Sequence, residues 1–242
     1  MNPIKNLVLV ALTLFAISAS ANETVKQELA KKYPEVKAER ITKTSYGNLF
    51  EVFTGGEILY TDEKVTFLLL GTLVDTQTRV NISEARLQKL NVINFNDLPF
   101  ENAIKLVRGN GSRRMAIFAD PNCGYCKRFE QDVNVMDNIT AYIFAYPILA
   151  QDSIDKSKAI WCSTDRLKAW QDQMLREKPP TGKGTCDNPI DKVVALGRKL
   201  NVTGTPTTFF EDGERISGAL PKERIEAKLV AAKAAPGNDS KR

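Results

Sequence analysis

The sequence predicts two folded parts, an α+β module at the N-terminus followed by a larger α/β domain. Short strand-like runs separated by turn residues occupy positions 38–74 and are typical of a small antiparallel sheet. Later in the chain, three patterns follow one another: an apolar run at 114–119, a helical pattern that begins at 127, and a second apolar run at 140–145. This succession is typical of a βαβ unit, so we expect the two runs to be parallel neighbours.

The bulk composition is that of a globular protein with one large or two modest domains. The chain has 242 residues, of which 43% are hydrophobic and 26% are charged. The net charge is only +5, and no basic block is interleaved with aromatic residues, so the sequence argues against a nucleic-acid partner. The chain contains no histidine, and we expect neither a metal nor a cofactor.

Residues 1–21 have the pattern of a secretory signal peptide. Lys5 gives a positive start, an apolar run follows at 7–17, and Ala19-Ser20-Ala21 is a small-residue cleavage signal. The run is too short to span a bilayer comfortably, and no later segment is apolar enough to cross one, so we expect no stable membrane insertion. The sequence therefore predicts an exported protein cleaved after Ala21, in a compartment where disulfides persist.

Residues 22–80 are predicted to form the N-terminal module. We expect a helix at 23–33, ended by Pro34, and strands at 38–44, 49–53, 57–60, 65–70 and 72–74. The run at 65–70 is apolar on nearly both faces, although a small antiparallel sheet usually has one face in water. We therefore expect the module to self-associate; the alternative is that it packs on the second domain.

Residues 81–98 are expected to link the two parts. A helical segment runs from a cap at Asn81 or Ser83 to Leu90, and the polar stretch 94–97 interrupts the pattern. The second domain is expected at 99–236, beginning with a helix at 100–107, and residues 237–242 are expected to be a flexible tail.

The second domain is organised around the motif Cys123-Gly124-Tyr125-Cys126, between the strand at 114–119 and the following helix. A helix N-terminus favours a thiolate through its free N–H groups and its dipole. Residues three apart share a helix face, so Cys126 can close a disulfide with Cys123. We expect an exposed nucleophile at Cys123, favoured as a thiolate by Lys127 and Arg128, and a more buried resolving thiol at Cys126.

Two other interpretations of the motif remain open. Half of a zinc site would need further ligands, and the chain offers only two distant cysteines besides the motif. An inert disulfide would close so short a loop that it would constrain little of the chain. Thiol–disulfide chemistry fits the position of the motif at a helix entrance better than either.

The remaining cysteines, Cys162 and Cys186, are interpreted as a structural pair. If Cys123 pairs with Cys126, these two are left to pair with each other. Cys162 lies in a helical pattern at 153–177, and Cys186 follows the Pro- and Gly-rich stretch 179–184. Their bond would fasten a helical insertion to the loop behind it. Beyond that loop, Pro189 is expected to open a helix, and Asp212-Gly213 a hairpin turn.

Together these motifs resemble the DsbC/DsbG family of the thioredoxin superfamily over essentially the whole mature chain. The resemblance rests on the stretch 118–126, on Gly204-Thr205-Pro206-Thr207, on the second cysteine pair and on the strand-rich N-terminal module. It implies a thioredoxin-like catalytic domain with a helical insertion, a cis Pro206 beside the motif, and N-terminal modules that pair into a homodimer. It also implies substrate contacts at Gly124, Tyr125, Thr205 and Pro206.

The activity that the resemblance implies is thiol–disulfide exchange. The protein would be a periplasmic disulfide isomerase that reshuffles, and can reduce, non-native disulfides in misoxidised exported proteins, with chaperone-like binding. The membrane reductase DsbD would keep its dithiol reduced. An alternative on the same architecture is a DsbG-like reductase of sulfenylated cysteines, which carries Pro at the position of Gly124. A DsbA-like oxidase and a dimeric holdase with incidental cysteines are further alternatives.

One position departs from the superfamily pattern. Thioredoxin has a buried acid six residues before the first cysteine, where this chain has Ile117. The nearest acid, Asp120, lies on the loop and is interpreted as a turn residue. The sequence therefore identifies no proton acceptor for Cys126.

Overall fold

The computed structural model describes residues 21–234, in two compact units that divide after Leu90. This division falls inside the predicted linker at 81–98. The predicted signal peptide, apart from Ala21, and the predicted tail at 237–242 lie outside the described residues. Within 21–234, no helix combines the length and the apolarity needed to cross a bilayer.

The first unit is a helix packed on a three-stranded antiparallel sheet. Helix α1 covers residues 21–32, and the strands β1 (Arg40–Lys43), β2 (Phe50–Thr54) and β3 (Glu57–Thr61) pair in chain order. The tight β2–β3 connection is a hairpin whose two glycines both have positive φ, which L-residues rarely adopt. Apolar side chains from the helix, the sheet and the segment after β3 form one core, made of Val25, Leu29, Phe50, Val52, Leu59 and Val65.

The predicted strands at 65–70 and 72–74 are wrong. The segment makes only isolated bridges, Tyr60 to Leu69 and Val74 to Asn81. Val65 has a positive φ of 50°, and the Asp62 carboxylate accepts hydrogen bonds from the Thr66 N–H and hydroxyl, so the backbone turns where a strand would begin. Of the apolar side chains that follow, Leu68 packs against the core, whereas Phe67, Leu69 and Leu70 are exposed, Leu70 by 78%.

Helix α2 (Ile82–Leu90) is attached to the sheet of the first unit by polar contacts. Asn81 caps it, because its side-chain oxygen accepts from the Glu84 N–H at 3.0 Å. The Tyr60 hydroxyl lies 2.6 Å from the Ser83 hydroxyl, and Arg86 forms a forked ion pair with the buried Glu51. These contacts fix the face of α2 that lies on β2 and β3.

The second unit is a five-stranded mixed sheet with helices on both faces. The strands are β4 (Ile104–Arg108), β5 (Arg113–Ala119), β6 (Ile139–Ala145), β7 (Thr207–Phe210) and β8 (Arg215–Ser217), in the order β4-β6-β5-β7-β8. The predicted parallel pair is confirmed: β5 and β6 run parallel, with Ile117 opposite Ile143. All other pairs are antiparallel.

Alternating residues of the central strand β5 supply two separate cores. Met115 and Ile117 pack with residues of α3 (Gly124–Asn134), α4 (Gln151–Trp161), α5 (Arg166–Arg176) and α7 (Lys222–Ala234). Ala116 and Phe118 pack with α6 (Ile190–Lys199) and with two short 3₁₀ turns, Phe95–Asp97 and Phe100–Asn102. Burial on both faces explains why β5 reads as a continuous apolar run.

Two predicted helices of this unit are wrong. The segment 100–107 forms a 3₁₀ turn and then the edge strand β4. Ile104 and Leu106 are buried, and the residue after each of them is exposed. Residues two apart share a face in a strand but not in a helix, so the strand buries both. The single helix predicted at 153–177 is two, α4 and α5. Asp165 caps the second by accepting from the Lys168 N–H at 2.9 Å, which ends the continuous pattern. Pro189 does precede α6 directly.

Cys162 and Cys186 are joined by a disulfide between the C-terminal end of α4 and the loop before α6. The bond closes a loop with a sequence separation of 24, which contains the whole of α5. It therefore restrains the helical insertion in the unfolded chain as well as in the folded one.

Replacing both cysteines, Cys162→Ser with Cys186→Ser, should lower the free energy of unfolding by about 3 kcal/mol, because the unfolded chain regains the entropy of the open loop. Guanidinium denaturation of the double variant beside Asp187→Asn, an exposed neighbour, measures the effect. Equal midpoints for the double variant and the control would show that the disulfide does not stabilise the insertion.

Candidate active site

The two cysteines of the motif lie where the central strand β5 gives way to helix α3. Cys123 is the N-cap residue of that helix, with extended backbone angles of φ −74° and ψ 117°. Its sulfur takes the place of a capping oxygen and accepts a hydrogen bond from the Cys126 N–H at 3.2 Å. A free helical N–H thus points at the sulfur, which is the arrangement that favours a thiolate.

Both sulfurs are thiols, and both are buried. The sequence predicted an exposed Cys123; this is wrong, since Cys123 is 6% exposed and Cys126 is 2% exposed. The loop at Thr205 covers Cys123, and the Thr205 carbonyl oxygen accepts a hydrogen bond from the Cys123 thiol at 3.3 Å. Burial raises the pKa of the Cys126 thiol, and its hydrogen bond with Cys123 raises it further. Both effects oppose ionisation of Cys126.

The loop that covers Cys123 contains a cis peptide bond between Thr205 and Pro206. Pro206 is buried, and its carbonyl accepts from the Gly218 N–H at 2.7 Å, which ties the loop to the end of β8. Thr205 is half-buried and presents its carbonyl to Cys123. The sequence motif at 204–207 and the two-cysteine motif therefore meet at one place.

Gly124 and Tyr125 form the exposed side of the motif. A Cβ at Gly124 would meet no atom within 4 Å, and Tyr125 is 66% exposed. The predicted thiolate-favouring cations have other partners. Lys127 binds Glu177 at 2.9 Å, and the Arg128 guanidinium lies 5.8 Å from the Tyr125 ring centre. The helix N-terminus, rather than these side chains, is the positive group that contacts Cys123.

Asp120 fixes the turn that delivers Cys123. Its carboxylate has no exposed surface and accepts from three backbone N–H groups and a hydroxyl, those of Asn122, Ile148, Leu149 and Ser153, at 2.8 to 3.0 Å. Its carbonyl accepts from the Cys123 N–H at 3.0 Å. The interpretation of Asp120 as a turn residue is confirmed, and the residue also joins the active-site turn to the start of α4.

Helices α4 and α5 hold the same turn from its outer side. The Gln173 side-chain amide donates to the Pro121 carbonyl at 3.0 Å. Asn122 donates to Asp152 and Ser153, and Lys156 donates to the Asn122 side-chain oxygen at 2.8 Å. Every residue of the turn before Cys123 is therefore bonded to the helical insertion.

Glu130 is a buried acid that the sequence analysis missed. It lies one turn after Cys126 on α3, it is 3% exposed, and its Oε2 accepts from the Trp170 indole N–H at 3.0 Å. Burial raises the pKa of its carboxyl to about 7, while the bond from Trp170 acts in the opposite direction. The available signal was its position, since a residue four places after Cys126 shares its helix face.

The site has the groups needed for thiol–disulfide exchange: two thiols, one of them at a helix N-terminus, beside a cis-proline loop. The described residues hold no group of three or more acidic or cysteine side chains that could bind a metal ion. Fold and site together define a thiol–disulfide oxidoreductase of the thioredoxin-like class.

Comparison with known proteins identifies the family. The family described as a thioredoxin-like domain matches residues 100–233, and the family described as the disulfide bond isomerase protein N-terminal domain matches residues 16–84. A probable thiol:disulfide interchange protein DsbC from Bordetella pertussis is 48% identical over 208 residues, covering 86% of this chain and 74% of that protein. The chain belongs to the DsbC family of thiol:disulfide interchange proteins.

More distant relatives agree with this assignment. The thiol:disulfide interchange protein DsbC of Escherichia coli is 27% identical over 224 residues, covering 89% of this chain and 90% of that protein. The crystal structure of a disulfide interchange protein from Neisseria gonorrhoeae is 38% identical, with a TM-score of 0.55 over 57% of this chain and 100% of that one. The predicted fold class and the thiol–disulfide oxidoreductase activity are confirmed.

Glu130→Gln should change how stability depends on pH. The carboxyl pKa is about 7 in the folded protein and near 4.5 in the unfolded chain, so the protonated carboxyl stabilises the fold below pH 4.5 and this contribution is lost as the pH rises through 7. As the pH rises from 4.5 to 8, the free energy of unfolding of wild type should therefore fall by about 3 kcal/mol relative to that of the variant.

Denaturation midpoints of the two proteins across this range measure the difference, with Asp132→Asn on the same helix as the control. Parallel curves for wild type and Glu130→Gln would contradict the raised pKa. Asp132→Asn removes a carboxylate from the same helix outside the buried face, so it controls for the loss of charge alone.

Proposed function

We propose that this protein isomerises non-native disulfides in exported proteins and can also reduce them. Cys123 is the nucleophile and Cys126 the resolving thiol. The observation that carries this assignment is the hydrogen bond from the Cys126 N–H to the Cys123 sulfur at the entrance of α3. This bond stabilises negative charge on the Cys123 sulfur, whereas burial and the bond with Cys123 oppose charge on the Cys126 sulfur.

The proposed reaction begins when the Cys123 thiolate attacks one sulfur of a substrate disulfide. A mixed disulfide forms, and the second substrate sulfur leaves as a thiolate with the electron pair of the broken bond. In isomerisation, a substrate thiolate then attacks the substrate sulfur of the mixed disulfide, and Cys123 leaves unchanged. In reduction, Cys126 attacks Cys123 instead, so the substrate leaves as a thiolate and the motif becomes a disulfide.

Substrate binding is proposed beside the same site. The half-buried Thr205 contacts Cys123 and precedes Pro206, and Gly124 and the exposed Tyr125 follow Cys123 in the chain. The open space above Gly124 supports this role, since a backbone segment can approach there without meeting a side chain. Contacts of this kind involve the substrate main chain and do not depend on its sequence.

We further propose that the protein is periplasmic and that its signal peptide is cleaved after Ala21. The membrane reductase DsbD is proposed to keep the two thiols of the motif reduced. An isomerase needs a free thiolate at Cys123, so an external dithiol donor has to restore the motif after each net reduction. Cys162 and Cys186 serve as the structural disulfide. Chaperone-like binding of misoxidised proteins is part of the same proposal, because such proteins expose apolar surface.

The N-terminal module is proposed to form a homodimer. The chain segment between β3 and α2 carries several exposed apolar side chains, which a monomeric module would leave in water. They are Phe67, Leu69, Leu70, Val74 and Val80. Leu70 also lines a groove of about 440 Å³ together with Ile58 and Leu87. A second copy of the module is the partner whose matching apolar surface would cover these residues.

Reactivation of scrambled ribonuclease in a glutathione buffer tests the isomerase assignment. Wild type should restore activity, and Cys123→Ser should fall to the rate of buffer alone because the attacking sulfur is gone. Cys126→Ser should keep part of the isomerisation but lose net reduction. Failure of folded wild type to reactivate the substrate would overturn the isomerase proposal, and reduction of a sulfenylated thiol would then be the activity to measure.

Leu70→Glu should shift the protein from dimer to monomer in sedimentation at micromolar concentration, because it places a charge in the apolar contact. Gln77→Glu adds the same charge at an exposed polar position and should remain dimeric. A wild-type protein that sediments as a monomer, or two variants that behave alike, would refute the proposed interface.

A further inference from the structure

Glu130 is a buried acid on the helix of the redox site. The thiol–disulfide exchange described above does not use it. Its Oε2 accepts from Trp170, but its Oε1 is buried without a hydrogen-bond partner among the described residues. A buried carboxylate normally has several hydrogen bonds, and one with a single bond is costly to keep charged. A buried acid whose charged form costs free energy in this way is a candidate for a functional proton transfer.

The position of Glu130 on α3 places it one helical turn from the motif. It follows Cys126 by four residues on α3, a spacing that puts the two side chains on one face about 6 Å apart at their Cβ atoms. Long side chains on a helix lean back towards its N-terminus, which here is the turn that carries Cys126. Both residues are fully inside the protein, so water does not screen one from the other.

The charged residues of the elements around Glu130 are engaged elsewhere. On α5, Lys168 and Arg176 both pair with Asp172. On β4, Lys105 lies over the Tyr142 ring and Arg108 donates to Asn134.

On α3 itself, Lys127 pairs with Glu177, Arg128 and Asp132 lie outside the buried face, and Cys126 is the titratable group that shares that face with Glu130. No ion pair among the described residues includes Glu130, and Cys126 is its titratable neighbour on this helix face.

We propose that Glu130 receives the proton that Cys126 gives up when it attacks the mixed disulfide, an inference that rests on the proposed role of Cys126 as the resolving thiol. The acceptor that the superfamily places on the central strand is thus supplied here from the helix, one turn beyond the second cysteine. Trp170 is the positioning residue that holds the carboxyl in place.

The step is balanced within the protein and its substrate. The Cys126 sulfur bonds to the Cys123 sulfur, the bond from Cys123 to the substrate breaks, and its electron pair leaves on the substrate sulfur. The Cys126 proton moves to Oε1 of Glu130, and the carboxylic acid later releases it to solvent. No further oxidant or reductant takes part.

The protonation range of Glu130 suits this task. Its pKa of about 7 means that a large share is ionised at neutral pH, and that the carboxylate is basic enough to accept a proton. A buried thiol such as Cys126 does not ionise readily without an acceptor, because burial raises its own pKa.

The test follows one turnover of the reduced protein with dithiobis(nitrobenzoate) by stopped-flow absorbance between pH 5.5 and 9. Attack by Cys123 releases the first coloured thiol and attack by Cys126 the second. In wild type, the rate of the second release should rise with pH and level off near 7. Glu130→Gln should slow that release at pH 7 by about 100-fold and should show no levelling, with the first release unchanged.

Two further variants separate proton transfer from a packing effect. Trp170→Phe removes a bond that lowers the Glu130 pKa, so the levelling should move to higher pH. Asp132→Asn, on the same helix but outside the core, should match wild type. Identical pH profiles for wild type and Glu130→Gln would overturn the inference.

The same experiment distinguishes failure of this inference from failure of the proposed function. Cys126→Ser should show only the first release. If it does, and Glu130→Gln still matches wild type, the resolving role of Cys126 stands and the role of Glu130 is refuted. If the second release persists in Cys126→Ser, the assignment of the resolving thiol is wrong and the inference falls with it.

Discussion

The buried carboxylate of Asp120 is the interaction on which the redox site depends. It accepts from four donors, of which Asn122 lies on the turn after β5 and Ile148 and Leu149 lie on the loop after β6, so a single side chain fixes both segments. Without it, one buried donor and three partly buried donors would lose their partner, and such a loss costs about 1–3 kcal/mol where the donor is buried. Because the Asp120 carbonyl also holds the Cys123 N–H, the position of the nucleophile follows from the position of this one residue.

The helical insertion completes this arrangement. Helix α4 bonds to Asn122, and helix α5 bonds to Pro121 through Gln173 and to Glu130 through Trp170. Glu177, the residue that ends α5, pairs with Lys127. The insertion thus contacts both the turn before Cys123 and the helix after it, and the disulfide restrains its ends. A sheet common to many folds provides the strand and the helix entrance, while the insertion provides the environment of the two thiols.

Elements whose patterns agreed with their packing could be predicted from sequence. The continuous apolar runs of β5 and β6 predicted a parallel pair, and Pro189 predicted the start of α6. The strands at 65–70 and the helix at 100–107 failed because short apolar runs fit either period, and Val65 adopts a backbone that its residue type disfavours. At the site, spacing located Cys123 and Cys126, but their burial and the role of Trp170 beside Glu130 depend on segments up to 82 residues distant in sequence.

The most direct test of the account is to trap the covalent intermediate. Reduced Cys126→Ser protein is mixed with scrambled ribonuclease, quenched with acid, digested and analysed by mass spectrometry. The account predicts a disulfide that joins Cys123 to substrate cysteines and disappears when a dithiol is added. Adducts at Cys162 or Cys186, or no adduct from a folded protein, would contradict the assignment of Cys123 as the nucleophile.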